Sequence, residues 1–302
     1  MLQHPNQQIG DAWFFVDNST VHCYYLTCPL DVPRHTRWDI GHAVSNDLTN
    51  WTIVDPALVR GESGFFDHDG LATGSVIPFA GRYWMAYTTH HQATVGLAVS
   101  DDLYTWQKVS KTPITDVDPR YYEPMSHGVR KAKHWRDPFL FVHDGMVYHF
   151  VCASRNDGPE DRRGTVGVAR TADMQHWQIL PPPAIDAIDQ EMECPQLYQQ
   201  NGRYYLLFSS AAEWFTPEAT TSIPGIFGWS SYAMVANSPF GPFTLQYGRI
   251  IPADYPVQPY ACQIVQWQGN SYLLGTIQPP EYGVICDPIP VIFTEDGIHL
   301  KS

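Results

Sequence analysis

Basic residues are scarce in this chain. Eighteen Lys and Arg stand against 31 Asp and Glu among 302 residues, a formal net charge of −13. Nucleic-acid affinity rests on clustered Lys and Arg that neutralise phosphates, so no nucleic-acid partner is expected, and neutral or cationic ligands fit better. Charged residues make up only 16% of the chain against 44% hydrophobic, which is not a disordered composition and leaves apolar surface for a large core. The six cysteines (Cys23, Cys28, Cys152, Cys194, Cys262 and Cys286) are dispersed, with no Cys-x-x-Cys pair. Neither a zinc site nor a disulfide framework follows, and no metal or cofactor is expected. No eighteen-residue apolar run is present, and the start "MLQHPNQQIGDAWFF" lacks a basic segment followed by an apolar one. No membrane partner and a cytoplasmic location are therefore the expectation. Helical periodicity is nearly absent as well, and twenty-five prolines punctuate the chain between strands.

What is present is repetition. Three segments read alike: "IGHAVSNDLTNW" (40–51), "VGLAVSDDLYTW" (95–106) and "VGVARTADMQHW" (166–177). Each is a strand of alternating small and apolar residues, then Asp with Leu or Met, then two residues and a Trp. Five hairpins interleave with them, at "VDNSTVHCYYL", "FAGRYWMAYT", "VHDGMVYHFV", "QNGRYYLLFS" and "WQGNSYLLGT". Gly, Asn and Asp supply the positive φ of tight turns, and the aromatic alternation after them is that of half-buried strands. The pattern predicts an all-β fold, a five-bladed β-propeller forming a single domain over 1–302, with blades near 9–58, 67–115, 135–185, 191–250 and 258–302. A β-sandwich or long barrel also has regular turns, but neither repeats a whole unit with its Asp-Leu-x-x-Trp corner. Those corner residues (Asp47 with Trp51, Asp102 with Trp106, Asp173 with Trp177) read as structural, a Trp packed between blades behind a turn Asp.

The first strand of each propeller blade lines the central channel, so a residue near its start points into the mouth of the funnel. Asp11 lies seven residues before Asn18, Asp137 eight before Gly145, and Glu193 nine before Gly202. Three blades thus place a carboxylate at one structural address, in "IGDAWFF", "WRDPFLF" and "MECPQLY". The other two offer Thr73 and Tyr260 or Gln263. Acids among apolar residues repel one another and resist desolvation, so their convergence points to function. The plainer reading is that one of them caps a turn or pairs with Arg.

A carboxylate cluster in a funnel supports divalent-cation binding or acetal cleavage. Calcium loops place several oxygen ligands close in sequence, and no such loop occurs, so glycosidic cleavage is preferred. Arg136 beside Asp137 would keep that carboxylate ionised and fixed, suiting it to hold sugar hydroxyls. Glu193, between Met192 and Cys194, suits proton transfer. Asp11 is left as the nucleophile.

These residues resemble a known family. "WRDPFLF" is similar to the Arg-Asp-Pro motif, and "ECPQLY" to the Glu-Cys motif, of glycoside hydrolase family 32, the β-fructofuranosidase, levanase and inulinase group. "IGHAVSNDLTNWTIVDPALV" and "GLATGSVIPFAGRYWMAYT" resemble two further strands of its propeller, and the likeness runs in order over about residues 9–210. It implies Asp11 as nucleophile, Asp137 as transition-state stabiliser gripping furanose hydroxyls, Glu193 as acid/base, and retention of configuration. It also implies that Arg136 bonds the sugar, and that the substrate is a small saccharide or a fructan with a terminal β-fructofuranosyl linkage.

Departures from the family are specific. "GDAWFF" keeps only the Asp of the Asn-Asp-Pro-Asn-Gly nucleophile motif. Ile40 stands where an aromatic usually lines the fructose pocket, a place that Trp13 or Trp38 could fill. The chain ends with its fifth blade, so the family's C-terminal β-sandwich is not expected in it. His90 and His91 follow a strand, and since adjacent side chains point to opposite faces, one at most, His90, binds sugar. Trp214, on a long loop, either stacks on sugar or packs. The basic connection 119–138 either folds over the pocket or contacts another subunit. An inverting α-L-arabinofuranosidase or β-xylosidase-type propeller, a fructosyltransferase and a non-catalytic sugar-binding propeller remain alternatives.

Overall fold

Each tight turn read from the sequence joins the first two strands of a blade. The computed structural model describes residues 1–34, 36–277 and 283–301. Blade I holds β1 (Gln7–Asp17), β2 (Thr20–Pro29), β3 (Asp39–Ser45) and β4 (Thr52–Ile53). Blade II holds β5 (Leu71–Phe79), β6 (Arg82–Thr89), β7 (Val95–Ser100) and β8 (Gln107–Lys108). Blade III holds β9 (Trp135–His143), β10 (Met146–Ser154), β11 (Gly164–Thr171) and β12 (Gln178–Leu180). Blade IV has three strands, β13 (Glu193–Gln200), β14 (Arg203–Ala211) and β15 (Trp229–Ala236). Blade V has five, β16 (Tyr260–Trp267), β17 (Asn270–Ile277), β18 (Val284–Ile285), β19 (Ile289–Phe293) and β20 (Ile298–Leu300). This is the five-bladed propeller expected. Blade IV departs from four strands because Ser238–Pro242 replaces the Asp-Leu-x-x-Trp corner, and a single bridge from Thr244 to Val235 stands in for the fourth strand.

Local chemistry accounts for the repeats. Ala80-Gly81, Asp144-Gly145, Asn201-Gly202 and Gln268-Gly269 all take positive φ, between 48° and 77°, the hairpin turn whose twist matches that of the flanking strands. The glycine repeated in the third strand of blades I, II and III is a socket for a ring. A Cβ on Gly41 would stand 2.5 Å from the Tyr25 ring, one on Gly96 2.4 Å from Tyr87, and one on Gly167 2.4 Å from Trp135. At the corners, Asp47 accepts from the backbone N–H of Thr49 and Asn50, Asp102 from Tyr104 and Thr105, and Asp173 from Gln175 and His176. Trp51 and Trp106 donate their indole N–H to Leu48 and Leu103 carbonyls at 3.1 and 3.0 Å. Those corner residues are structural.

The innermost strands β1, β5, β9, β13 and β16 neighbour one another around the channel. Every one of them breaks register at the same depth, with an extra residue opposite the second strand: after Ile9, after Ala72, at Asp137-Pro138, after Glu193 and after Tyr260. A β-bulge re-aims a side chain and leaves a backbone group unpaired. Proline, which has no N–H, loses nothing there, so Pro138 and Pro195 mark the bulges of blades III and IV. Asp137, Cys194 and Ala261 take φ of 59°, 47° and 49°. The ring closes between the ends of the chain, where Leu2 pairs with Ile285 and Thr276 Oγ1 donates to Gly10 O at 2.7 Å. All six cysteines are buried and free.

Candidate active site

The bulges deliver their side chains into one cavity of about 960 Å³ at the channel mouth. Asp11, Thr73, Asp137, Glu193 and Tyr260 line it, one from each blade, together with Arg34, Trp38, Thr88, His90, Arg130, Arg136 and Trp229. The three acids predicted to converge therefore do so.

Asp11 sits in the bulge of β1 and accepts from Thr73 Oγ1 at 2.9 Å. Burial, with the charges of Asp137 and Glu193 behind it, pushes its carboxyl up to about 7, against the pull of Thr73 and Arg34. Asp137 sits in the bulge of β9. Its Oδ2 accepts from the Cys194 backbone N–H at 3.1 Å, and its own N–H donates to Thr88 Oγ1 at 2.7 Å. Arg136 Nε stands 3.6 Å from Asp137 Oδ2. The sequence predicts that this guanidinium keeps Asp137 readily ionised, and that expectation is corrected: burial outweighs Arg136 and raises the carboxyl above the ordinary range.

Glu193 lies one residue before its bulge and is held differently from the apolar setting expected of it. Its Oε1 accepts from Arg130 and Arg136, and its Oε2 meets the Tyr260 hydroxyl. Behind it, buried Glu191 binds the same two guanidiniums, Arg130 Nε at 2.9 Å and Arg136 Nη2. Two Glu and two Arg thus alternate in charge. A phenol serves Glu193 in either protonation state, donating to the carboxylate or accepting from the acid.

Of the other predicted residues, Thr73, Arg136, Trp38 and His90 line the cavity and His91 does not. Trp38 lies beneath the Arg34 guanidinium, 5.7 Å from its ring centre. Trp13 is corrected: two residues past the bulge it faces the core between blades I and II, fully buried and stacked on Tyr24 at 6.2 Å. Trp214 is corrected likewise. It is buried at 3% exposure, and the Arg130 guanidinium lies 4.6 Å over its ring, so it packs under an arginine and not under a sugar.

Sequence reasoning missed four contributors. Arg130 comes from the basic connection into blade III, which does fold toward the pocket. Glu191 could have been suspected from its place two residues before Glu193 in "EMEC". Arg34 and Trp229 carried no distinguishing signal.

One cluster outside the acid trio has metal-type donors: His134, Cys152 and Glu191 offer atoms within 4.8 Å of one another. Arg130 and Arg136 already supply the positive charge at Glu191, and burial pushes the Cys152 thiol well up, away from the thiolate a metal prefers. The arrangement suits guanidiniums, not a divalent ion.

Comparison with known proteins agrees with this fold. Residues 12–283 match the glycosyl hydrolases family 32 N-terminal domain, a match that begins one residue after Asp11. The chain is 25% identical to the sucrose-6-phosphate hydrolase of Zymomonas mobilis over 220 residues, covering 69% of this chain and 40% of that protein. It is 29% identical to the Arabidopsis thaliana β-fructofuranosidase, insoluble isoenzyme CWINV6, covering 65% and 35%. The chain spans about 40% of the length of the curated relatives it matches first. Among solved structures, the inulosucrase from Halalkalicoccus jeotgali bound to kestose superposes with a TM-score of 0.76 at 20% identity, over 98% of this chain and 87% of that one. A mutant of the Bombyx mori GH32 β-fructofuranosidase in complex with sucrose gives 0.70 at 18%, over 98% and 64%. With a family match over most of its length and the same five-bladed fold, the chain belongs to glycosyl hydrolase family 32.

Proposed function

We propose that this protein hydrolyses terminal β-fructofuranosyl linkages of small saccharides with retention of configuration. The observation that carries the reading is the meeting of Asp11, Asp137 and Glu193 in one cavity. Relatives named sucrose-6-phosphate hydrolase, fructan 6-exohydrolase and β-fructofuranosidase support it, as do neighbouring structures holding sucrose or kestose.

In the first step an Asp11 carboxylate oxygen bonds to the anomeric carbon as the bond from that carbon to the leaving oxygen breaks. The proton of Glu193 goes to the departing oxygen. In the second step water attacks the same carbon, Glu193 takes the water's proton, and the ester bond to Asp11 breaks to release fructose. Asp137, oriented by Cys194 N–H, holds sugar hydroxyls, and Tyr260 follows the change of protonation on Glu193. Asp11 must be ionised to attack, so the fraction of active enzyme rises with pH through the range in which Asp11 titrates.

The test is fructose release from sucrose and kestose by the wild type and by Glu193→Ala, with full product analysis. Fructose from the wild type and none from the variant is expected. Equal release by both proteins overturns the assignment of Glu193, and transfer products without free fructose overturn hydrolysis.

A further inference from the structure

If Glu193 protonates the leaving group, that group departs along the Glu193 side of the cavity. Tyr260, Trp229, Pro256, Val257 and Gln258 form the wall there. Trp229 differs from the other tryptophans of this chain. Trp13, Trp38 and Trp135 are fully buried, whereas Trp229, the first residue of β15, leaves 51% of its surface open.

The exposed ring is nonetheless held in place. Trp214 meets it edge-on at 4.9 Å and Tyr260 at 5.3 Å. Arg249 donates to the Phe227 backbone O at 3.0 Å and to the Gln258 side chain at Oε1, which ties the approach to β15 to the loop carrying Pro256–Gln258. A rigid exposed aromatic inside a cavity, with its ordering cost met in advance by folding, is built to bind something flat and partly apolar. The C–H face of a hexose ring fits that description.

Charge narrows the choice. Among the described residues no lysine lines the cavity, and its guanidiniums already face acids. Arg130 meets Glu191 and Glu193, Arg136 meets Glu191, Glu193 and Asp137, and Arg34 feels Asp11. A phosphate dianion would enter a cavity with three carboxylates and no uncommitted cation to receive it.

We propose that Trp229, backed by Tyr260 and Trp214, forms a leaving-group subsite that stacks an uncharged hexose ring, so that neutral oligosaccharides are preferred over sugar phosphates. This rests on Glu193 acting as the acid. The experiment measures kcat and KM of the wild type, Trp229→Ala and Trp229→Phe on sucrose and sucrose 6-phosphate, with fructose as inhibitor.

The wild type should favour sucrose. Trp229→Ala should lower kcat/KM for sucrose about tenfold, mostly through KM, and Trp229→Phe should restore most of it. Fructose should inhibit all three proteins alike, because it occupies the other side of the cavity. Should Trp229→Ala not fold, Trp229→Leu, which is apolar but lacks a π face, takes its place with the same expectation. Preference for sucrose 6-phosphate, or an indifferent position 229 in an active enzyme, overturns the subsite alone. No fructose from any substrate with the wild type overturns the proposed activity, and the subsite with it.

Discussion

Cys194 in blade IV donates its backbone N–H to Asp137 Oδ2 in blade III at 3.1 Å. The acid on one blade is thus oriented by the bulge of the next, and Thr73 of blade II does the same for Asp11 of blade I at 2.9 Å. The site is a property of the closed ring, not of any single blade.

Replacing Asp137 by Asn keeps an oxygen for the Cys194 N–H and removes the charge that would stabilise the transition state. Loss of one such group costs about 10²- to 10³-fold in kcat. Because burial raises the Asp137 carboxyl, its ionised form is held at a cost, so the variant should be at least as stable as the wild type at neutral pH. Thermal unfolding beside steady-state rates checks both halves.

Asp11 gives a pH signature. Its carboxyl is pushed up to about 7 in the fold from an ordinary 3.8. The native state therefore holds a proton that the unfolded chain releases, and this contribution is fully present below pH 3.8 and is lost as pH rises through about 7. Stability should fall across that window, and Asp11→Asn should flatten the fall. The acid limb of kcat/KM should lie near 7. Thr73→Val removes a hydrogen bond that favours the ionised acid, and so should move that limb to higher pH. A limb that stays put in this variant would separate it from Asp11.

The acids were legible because turn residues count the strand positions: Asn18, Gly145 and Gly202 bring Asp11, Asp137 and Glu193 to nearly one depth. The bulges were not legible as such. Asp137 and Cys194 adopt positive φ without a glycine to announce it, and only Pro138 and Pro195 mark the place. Aromatics were the weakest guide, since burial, exposure and a cavity wall all suit Trp. Trp13 and Trp214 went into the core while Trp229 went to the cavity. Arg130 and Glu191 meet only through folding, being 61 residues apart.

The Glu191, Arg136, Arg130 and Glu193 cluster should be costly to break on one side. Arg136→Met leaves Glu191 buried with one guanidinium fewer, and loss of one partner of a buried pair costs about 3–5 kcal/mol. Adding Glu191→Leu should recover part of that stability without recovering activity. Denaturant titration of the two variants provides the comparison, and a double variant less stable than Arg136→Met alone would contradict it.

Gly167→Ala connects the repeat to the chemistry. Its new Cβ would stand 2.4 Å from the Trp135 ring, next in sequence to Arg136, so it should cost about 1–3 kcal/mol through overpacking and lower activity as well. Gly145→Ala, at the outer turn of the same blade, meets nothing within 4 Å and strains only its φ of +74°. It should cost about 1–2 kcal/mol in stability and leave the rate intact. Equal effects of the two substitutions on activity would break the link between the socket and Arg136.

The most direct measurement is to quench the wild type at low temperature during turnover of sucrose and to map the adduct by peptide mass spectrometry. One fructosyl group esterified to Asp11, accompanied by fructose released first as its β-furanose anomer, is the predicted result. An adduct on another residue, or an inverted first product with no adduct, would contradict the account.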